Sequence, residues 1–186
     1  MHTEKYLDKN FSLTTGRLTL VPMTTGHWHE FKALKGDPAL MANIGDILDE
    51  QALTTEFNLR AGPWQAEEGR WCSLMMYGKA GNDFVGSFGF RLACKANRRM
   101  ELGYSLLNKN QGQGYATEAG IALIRFLFEQ VKVRKLVAAC TTNNIASRKV
   151  MEKLAFRREG LLQSDILINN TWHDSYLYGL VNPADK

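Results

Sequence analysis

Cysteine is scarce in this chain and apolar runs are short. Three cysteines in 186 residues (Cys72, Cys94 and Cys140) form an odd, scattered set without a CxxC pair. That argues against a disulfide framework and predicts reduced, packed thiols in a cytoplasmic protein. Metal-ligand sets are missing too, so no metal is expected. His27 and His29 have no Cys or acidic partner at ligand spacing, and His2 and His173 stand alone. No apolar run approaches the ~18 residues of a spanning helix, and Arg125 interrupts the longest, so no membrane partner is predicted. Met1 to Asn10 is polar and lacks the apolar core of a secretory signal. Nor is there a large excess of one charge. Twenty-three basic against 19 acidic residues leave +4, too mild for nucleic acid, which calls for a concentrated basic face.

Charge is nonetheless uneven along the chain. Basic residues gather between Lys132 and Arg158, as a solvated face with a minority in reach of cofactor phosphates. Asp46 to Glu68 holds six carboxylates against Arg60 alone; it either makes solvated helix faces or draws a cationic substrate. The length suits one domain, taken as 1–186, with residues 1–15 as a flexible or loosely packed N-terminal extension. No internal repeat or low-complexity linker interrupts it.

Periodicity supplies the elements. Arg17 to Val21 alternates as a first strand stopped by Pro22, and a helix from about Gly26 to Lys35 ends at Asp37-Pro38. Asp46 to Glu68 reads as one or two helices broken at Gly62-Pro63. Arg70 to Tyr77, Phe84 to Leu92 and Glu101 to Leu107 are three successive antiparallel strands, the first two around a turn containing Gly81-Asn82. An apolar helix, Ala116 to Gln130, then leads to Leu136 to Cys140, a continuous apolar run expected of a strand covered on both faces. Strand, helix and strand of this length predict a right-handed crossover between two parallel strands. A helix from Asn144 to Leu154 and a hairpin, Leu161 to Ile168 with Trp172 to Val181, complete the chain.

The stretch Asn110 to Ala119 sits where the third antiparallel strand meets the apolar helix. Gly112 and Gly114 there leave backbone N–H groups bare, and the helix start adds its own unpaired N–H groups and positive dipole end. Such a junction suits a phosphate or pyrophosphate. No Lys follows the glycines, as a P-loop requires, and Thr117 stands where a dinucleotide fingerprint needs its third Gly. Gln111, Gly114 and Ala116 do fill Gln/Arg-x-x-Gly-x-Gly/Ala. A glycine turn before a helix is the plain alternative.

With its Tyr-Ala-Thr-Glu-Ala continuation, this loop resembles the coenzyme A pyrophosphate loop of the GCN5-related N-acetyltransferases (GNAT). A second motif agrees. Asn144-x-x-Ser147 followed by Glu152-Lys153-Leu154-Ala155-Phe156 resembles the Asn-x-x-Ala/Ser and Glu-Lys-Leu-Gly-Phe signature of that family. Trp172-His173-Asp174 in the closing hairpin is similar to the subgroup that acetylates the N-termini of ribosomal proteins, the RimJ/RimL type. The resemblance runs from end to end and implies a mixed α/β (α+β) fold. Its central sheet would be mostly antiparallel with one parallel strand pair, and helices would lie on both faces. It further implies acetyl-CoA as acyl donor and an amine acceptor, with room for a homodimer.

Residue by residue, the resemblance assigns Gln111, Gly112, Gln113, Gly114, Tyr115, Ala116 and Thr117 to the pyrophosphate. A backbone N–H around Leu106 and Leu107 would polarise the thioester carbonyl. Asn144 and Ser147 add further cofactor contacts. Three positions depart from the family: Ala155 replaces a Gly, Met151 stands where many members carry a proton-donating Tyr, and Ala139 where some carry a Glu base. The acid therefore falls to Ser147, which otherwise only bonds the helix backbone or the cofactor. The base falls to Glu101 acting through water, with Asp165 and Asp174 as weaker candidates. The expected activity is direct acetylation of a primary amine, the N-terminal amine of a ribosomal protein. A small cationic amine such as a polyamine or aminoglycoside, a non-catalytic acyl-CoA-binding module and a nucleotide-binding protein are the alternatives.

Overall fold

Alternation decides which face of the sheet each residue serves. In β4 (Phe84–Cys94), Phe88, Phe90 and Leu92 are fully buried on one face, and Gly89 and Arg91 point to the other. β5 (Arg99–Leu106) repeats this with Met100, Leu102 and Leu106 against Glu101, Gly103 and Ser105. The computed structural model describes residues 11–185. One eight-stranded sheet runs in the order β1 (Leu13–Thr14), β2 (Leu18–Pro22), β3 (Trp71–Gly78), β4, β5, β6 (Lys135–Thr141), β8 (Thr171–Val181), β7 (Arg157–Ile168). Every neighbouring pair is antiparallel except β5 and β6, which are parallel and joined through α4 (Tyr115–Glu129).

The two faces have separate cores. Ala119, Leu123 and Leu127 of α4 and Met151 of α5 (Ile145–Lys153) pack with Phe88, Phe90, Met100 and Leu136. On the other face Phe31 of α1 (Trp28–Lys35) and Leu53 and Phe57 of α3 (Glu50–Ala61) close over Met75. The mixed sheet with one parallel pair and helices on both faces is the architecture the motifs predict.

Four local expectations change. Asp37-Pro38, read as a stop, also starts a one-turn helix, α2 (Pro38–Met41), because Asp37 caps it by accepting from the Ala39 and Leu40 amides. The acidic stretch makes a single helix, α3, and its carboxylates are already engaged. Asp49 caps α3, Glu56 pairs with Lys35 and Arg60, Asp46 accepts from the Asn169 amide and Glu68 from the Lys95 amide. Glu56 is thereby charge-paired, while Asp46, Asp49 and Glu68 keep their charge but are fixed in place as hydrogen-bond acceptors. β6 is not covered on both faces: Leu136, Ala138 and Cys140 are buried, but Ala139 is exposed. Within the expected loose extension, residues 11–15 are packed, with β1 on β2 and the Phe11 ring 4.9 Å from that of Phe126; residues 1–10 lie outside the described residues.

Ala155 keeps the geometry of the glycine it replaces. Its φ is 63°, its N–H donates to Glu152 O and that of Phe156 to Met151 O, a Schellman termination of α5. A left-handed alanine is strained there, so Ala155→Gly is expected to stabilise the fold by about 1 kcal/mol. Urea denaturation should show a higher midpoint with an unchanged slope. A midpoint that stays or falls would mean the turn carries no strain.

Candidate active site

β5 and β6 pair only at Arg99–Lys135, Met100–Leu136 and Glu101–Val137, yet β5 continues to Leu106 and β6 to Thr141. Beyond Glu101 the two strands no longer pair, and both line a cleft of about 1070 Å³. Successive strand amides point to opposite sides. The Leu107 amide is spent on Val85 O in the β4 direction, so that of Leu106 is directed to the cleft. Of the two amides expected to polarise a carbonyl, only that of Leu106 remains available. Leu107 and Gln113 do not line the cleft; Glu101, Leu106, Asn144 and Ser147 do, together with the loop from Gln111 to Thr117 apart from Gln113.

At the glycine loop the backbone is held open. Gly112 and Gly114 have φ of 73° and 81°, and a Cβ on Gly112 would meet nothing within 4 Å. Gly114 is the N-cap of α4 without a side-chain cap, and the first intrahelical bond runs from Glu118 N–H to Gly114 O. The amides of Tyr115, Ala116 and Thr117 precede that bond and have no helical acceptor. The loop therefore fits a diphosphate through backbone alone. Gln111 does not reach outward; its amide donates to Leu106 O and Asn108 Oδ1, both at 3.3 Å, bracing the loop. Gln113 likewise donates to Lys109 O at 2.8 Å.

Arg17 completes the loop, and nothing near it in the chain announces this. Its Nε donates to Glu118 Oε2 at 2.6 Å, its Nη1 to Gln113 O at 3.1 Å, and its guanidinium lies 4.5 Å from the centre of the Tyr115 ring. Hydrogen bonds from Thr15 and Arg17 outweigh partial burial and hold the Glu118 carboxyl below its usual range. Ninety-six residues separate Arg17 from Gln113, which is why local pattern missed it.

A second cluster lies where α5 begins. Asn144 Oδ1 accepts from Ser147 N–H at 3.0 Å and caps the helix. Ser147 Oγ sits 2.9 Å from the Tyr104 hydroxyl, which also donates to Ser147 O at 3.0 Å. Tyr104 comes from β5 on the core side, its ring 5.0 Å from that of Phe88. Burial pushes its phenol well above the usual range, so it stays protonated at any working pH. Burial also raises the Cys140 thiol, partly offset by a Ser147 hydrogen bond and the Arg148 charge. Met151 is buried and has no proton to give. Tyr104 brings to this corner the phenol that position 151 lacks. Its place among the alternating core residues Leu102 and Leu106 was the available sign.

Glu101 reaches the cleft already partnered. Arg91, its cross-strand neighbour, donates to Glu101 Oε2 through Nε at 2.9 Å, and its Nη2 makes an ion-pair contact with the same oxygen at 2.7 Å. Asp165 lines the cleft too, and Asp174 accepts from the Ser164 amide at 2.8 Å. Among the described residues no group of three or more His, Cys, Asp or Glu is placed to hold a metal.

Residues 17–157 match the acetyltransferase (GNAT) domain family. The chain belongs to the GNAT family. Among its relatives, the uncharacterized N-acetyltransferase YnaD of Bacillus subtilis is 35% identical over 81 residues, 44% of this chain and 48% of the relative. The ribosomal-protein-serine acetyltransferase of Escherichia coli is 29% identical over 100 residues, 54% of this chain and 56% of the relative. The chain thus spans about half the length of the curated relatives it matches. Among solved structures, RimL, a ribosomal alpha-N-protein acetyltransferase in complex with coenzyme A, superposes with a TM-score of 0.82 at 20% identity, covering 94% of this chain and 99% of that one. The fold is therefore shared over 94% of this chain.

Proposed function

We propose that this chain transfers the acetyl group of acetyl-CoA to a primary amine, the N-terminal amine of a polypeptide. The observation that carries the proposal is the parting of β5 and β6 beyond Glu101, with the bare loop amides lining the same cleft. Bound acetyl-CoA supplies an acyl thioester, reactive enough for direct attack by a neutral amine. The amides of Gly112 and of Gly114 to Thr117 hold its diphosphate, and Arg17, paired with Glu118, braces the loop beside them. The free edge of β5 offers backbone groups to an extended arm, and the Leu106 N–H polarises a carbonyl lying against it. Ser147 Oγ delivers a proton to the leaving group and recovers one from the Tyr104 hydroxyl as it turns from Ser147 O, and water in the cleft that Tyr104 lines returns a proton to the phenol. Glu101, oriented by Arg91, takes up the proton of the amine through water.

The polypeptide acceptor is supported by the named activity of the Escherichia coli relative and by the engaged state of the acidic segment. A panel of free and N-formylated peptides, polyamines and aminoglycosides, followed by thiol release, tests it. Turnover confined to free peptide N-termini is expected. Faster turnover of polyamines would overturn the acceptor, and acetyl-CoA binding without any turnover would leave an acyl-CoA-binding module.

A further inference from the structure

The sheet face away from α4 and α5 carries a polar constellation of which the transfer chemistry uses only the Glu101–Arg91 pair. In the register of β3, β4 and β5, Trp71 neighbours Arg91 and then Glu101, and Ser73 neighbours Gly89 and then Gly103. The two glycines clear a lane for the Trp71 indole. A Cβ on Gly103 would come within 2.9 Å of the ring, and one on Gly89 within 3.4 Å. The indole therefore lies across the sheet, where Trp71, Gly89 and Gly103 line the cleft.

Two guanidiniums flank that floor. Arg60, from the last turn of α3, has its Cζ 5.5 Å from the ring centre, and Arg91 has its Cζ at 5.1 Å. Lys35 from α1 joins them in lining the cleft. Opposing them are two carboxylates. Glu56 bonds Arg60 at 2.6 Å and Lys35 at 3.1 Å, and Glu101 bonds Arg91; of the two, only Glu101 lines the cleft. Three cations against two anions leave one uncompensated positive charge in a partly desolvated place. Arg60 is also under-used: its Nη1 reaches Ser73 Oγ only at 3.4 Å, and its buried Nε has no partner. Burial, and then the neighbouring Arg60 charge, hold the Lys35 ammonium below its usual range. A cation left short of partners in a cleft is a seat for an anion.

We infer that Arg60, Arg91 and Lys35, over the Trp71 floor, bind a carboxylate of the acceptor, so that the preferred acceptor is an acidic polypeptide N-terminus. This rests on the acetyl-transfer reading and narrows it, since it opposes the polyamine and aminoglycoside class. The carboxylate is drawn by the combined charge of Arg60, Arg91 and Lys35, with Arg60 Nη1, only loosely held by Ser73, as its nearest spare donor, and this holds the amine in the cleft near Glu101 and the Leu106 amide.

Matched peptides test it: one with Glu at its second and third positions, its Gln twin, its Lys twin and an O-phosphoserine twin. On wild-type protein, kcat/KM for the Glu peptide is expected to exceed that of the Gln twin by at least tenfold. The phosphorylated twin should be used as well as the Glu peptide if charge decides, and poorly if carboxylate shape does. Arg60→Gln should bring the Glu/Gln ratio close to one with the acetyl-CoA Kd unchanged, which also reports that the variant folds. Calorimetric titration of the same peptides, with and without coenzyme A, reads the site without turnover. Equal or tighter binding and equal or faster use of the Gln or Lys twin would overturn the inference. Absence of acetyl-CoA binding by the wild type would sink the transfer reading, while acid-selective binding would still stand.

Discussion

Gly114→Asp is expected to weaken acetyl-CoA binding by at least a hundredfold. The residue sits at φ 81°, where a side chain is strained, but that cost falls on the free and the bound protein alike and lowers stability rather than affinity. The new carboxylate would then stand at the mouth of the uncapped helix, where the diphosphate needs the amides. At ~4 Å and an effective dielectric of about 20, a single like-charge contact costs on the order of 4 kcal/mol. Part of that is relieved by Arg17, whose Nη2 lies 3.6 Å from the position of a Cβ on Gly114. About 3 kcal/mol therefore remains as a working figure, and about 1.4 kcal/mol is a factor of ten. Gly112→Ala is the control: its Cβ meets open space, so backbone strain is its only cost. Calorimetric titration with acetyl-CoA, alongside circular dichroism for folding, decides. Wild-type affinity in a folded Gly114→Asp protein would remove the loop from the cofactor site.

The second large effect belongs to Tyr104 and Ser147. With Met151 unable to donate, their hydroxyls, 2.9 Å apart, are the proton source we propose beside Cys140 and α5. A positioned general acid contributes about a hundredfold or more, so Ser147→Ala is expected to lower kcat on that scale. Tyr104→Phe should lower it in the same direction, and the double variant should cost little beyond the larger single, because the two hydroxyls act in series. Acetyl-CoA Kd should stay within a few-fold in each. Undiminished kcat in Ser147→Ala would return Ser147 to the plain role of bonding helix and cofactor.

Tyr104 also predicts a pH dependence of stability. Its folded-state phenol is pushed up by burial, whereas in the unfolded chain it ionises near its ordinary value of about 10. Above that pH the unfolded state loses a proton that the folded state keeps, so stability is fully present below about 10 and falls as pH rises further. The Cys72 thiol, pushed up to about 12 by burial, acts in the same sense. Tyr104→Phe should flatten the alkaline limb by one proton's worth of slope. An unchanged limb would mean the phenol ionises as freely in the folded protein as outside it.

How much of this was legible follows the range of each interaction. Gly112 and Gly114, the apolar helix after them and the two strands it joins were readable, because turn chemistry and periodicity act within a few residues. Asn144 as a helix cap and Ser147 three residues on were readable for the same reason, and Ala155 could be marked as a position suited to glycine from its place after α5. What needed the fold was pairing between elements. Thr15 and Arg17 meet Glu118 from more than 100 residues away. Tyr104 meets Ser147 across 43, and Arg60 meets Trp71 only after α3 folds over the sheet.

The same division explains the corrections. Glu101 could be placed on a strand, but whether its carboxylate was free depended on which residue stood across from it, and register made that Arg91. Asp46 to Glu68 was visibly acidic, but what each carboxylate does depends on its partner, and the fold sets Glu56 against Lys35 and Arg60 and Asp46 against the Asn169 amide. Local sequence alone thus determined the family and most of the order of elements, and marked the glycine loop proposed for the phosphates, since short-range periodicity and bare backbone are written residue by residue. Tertiary structure alone decided which side chains face the cleft uncompensated, because burial and long-range pairing exist only once the sheet has set its register.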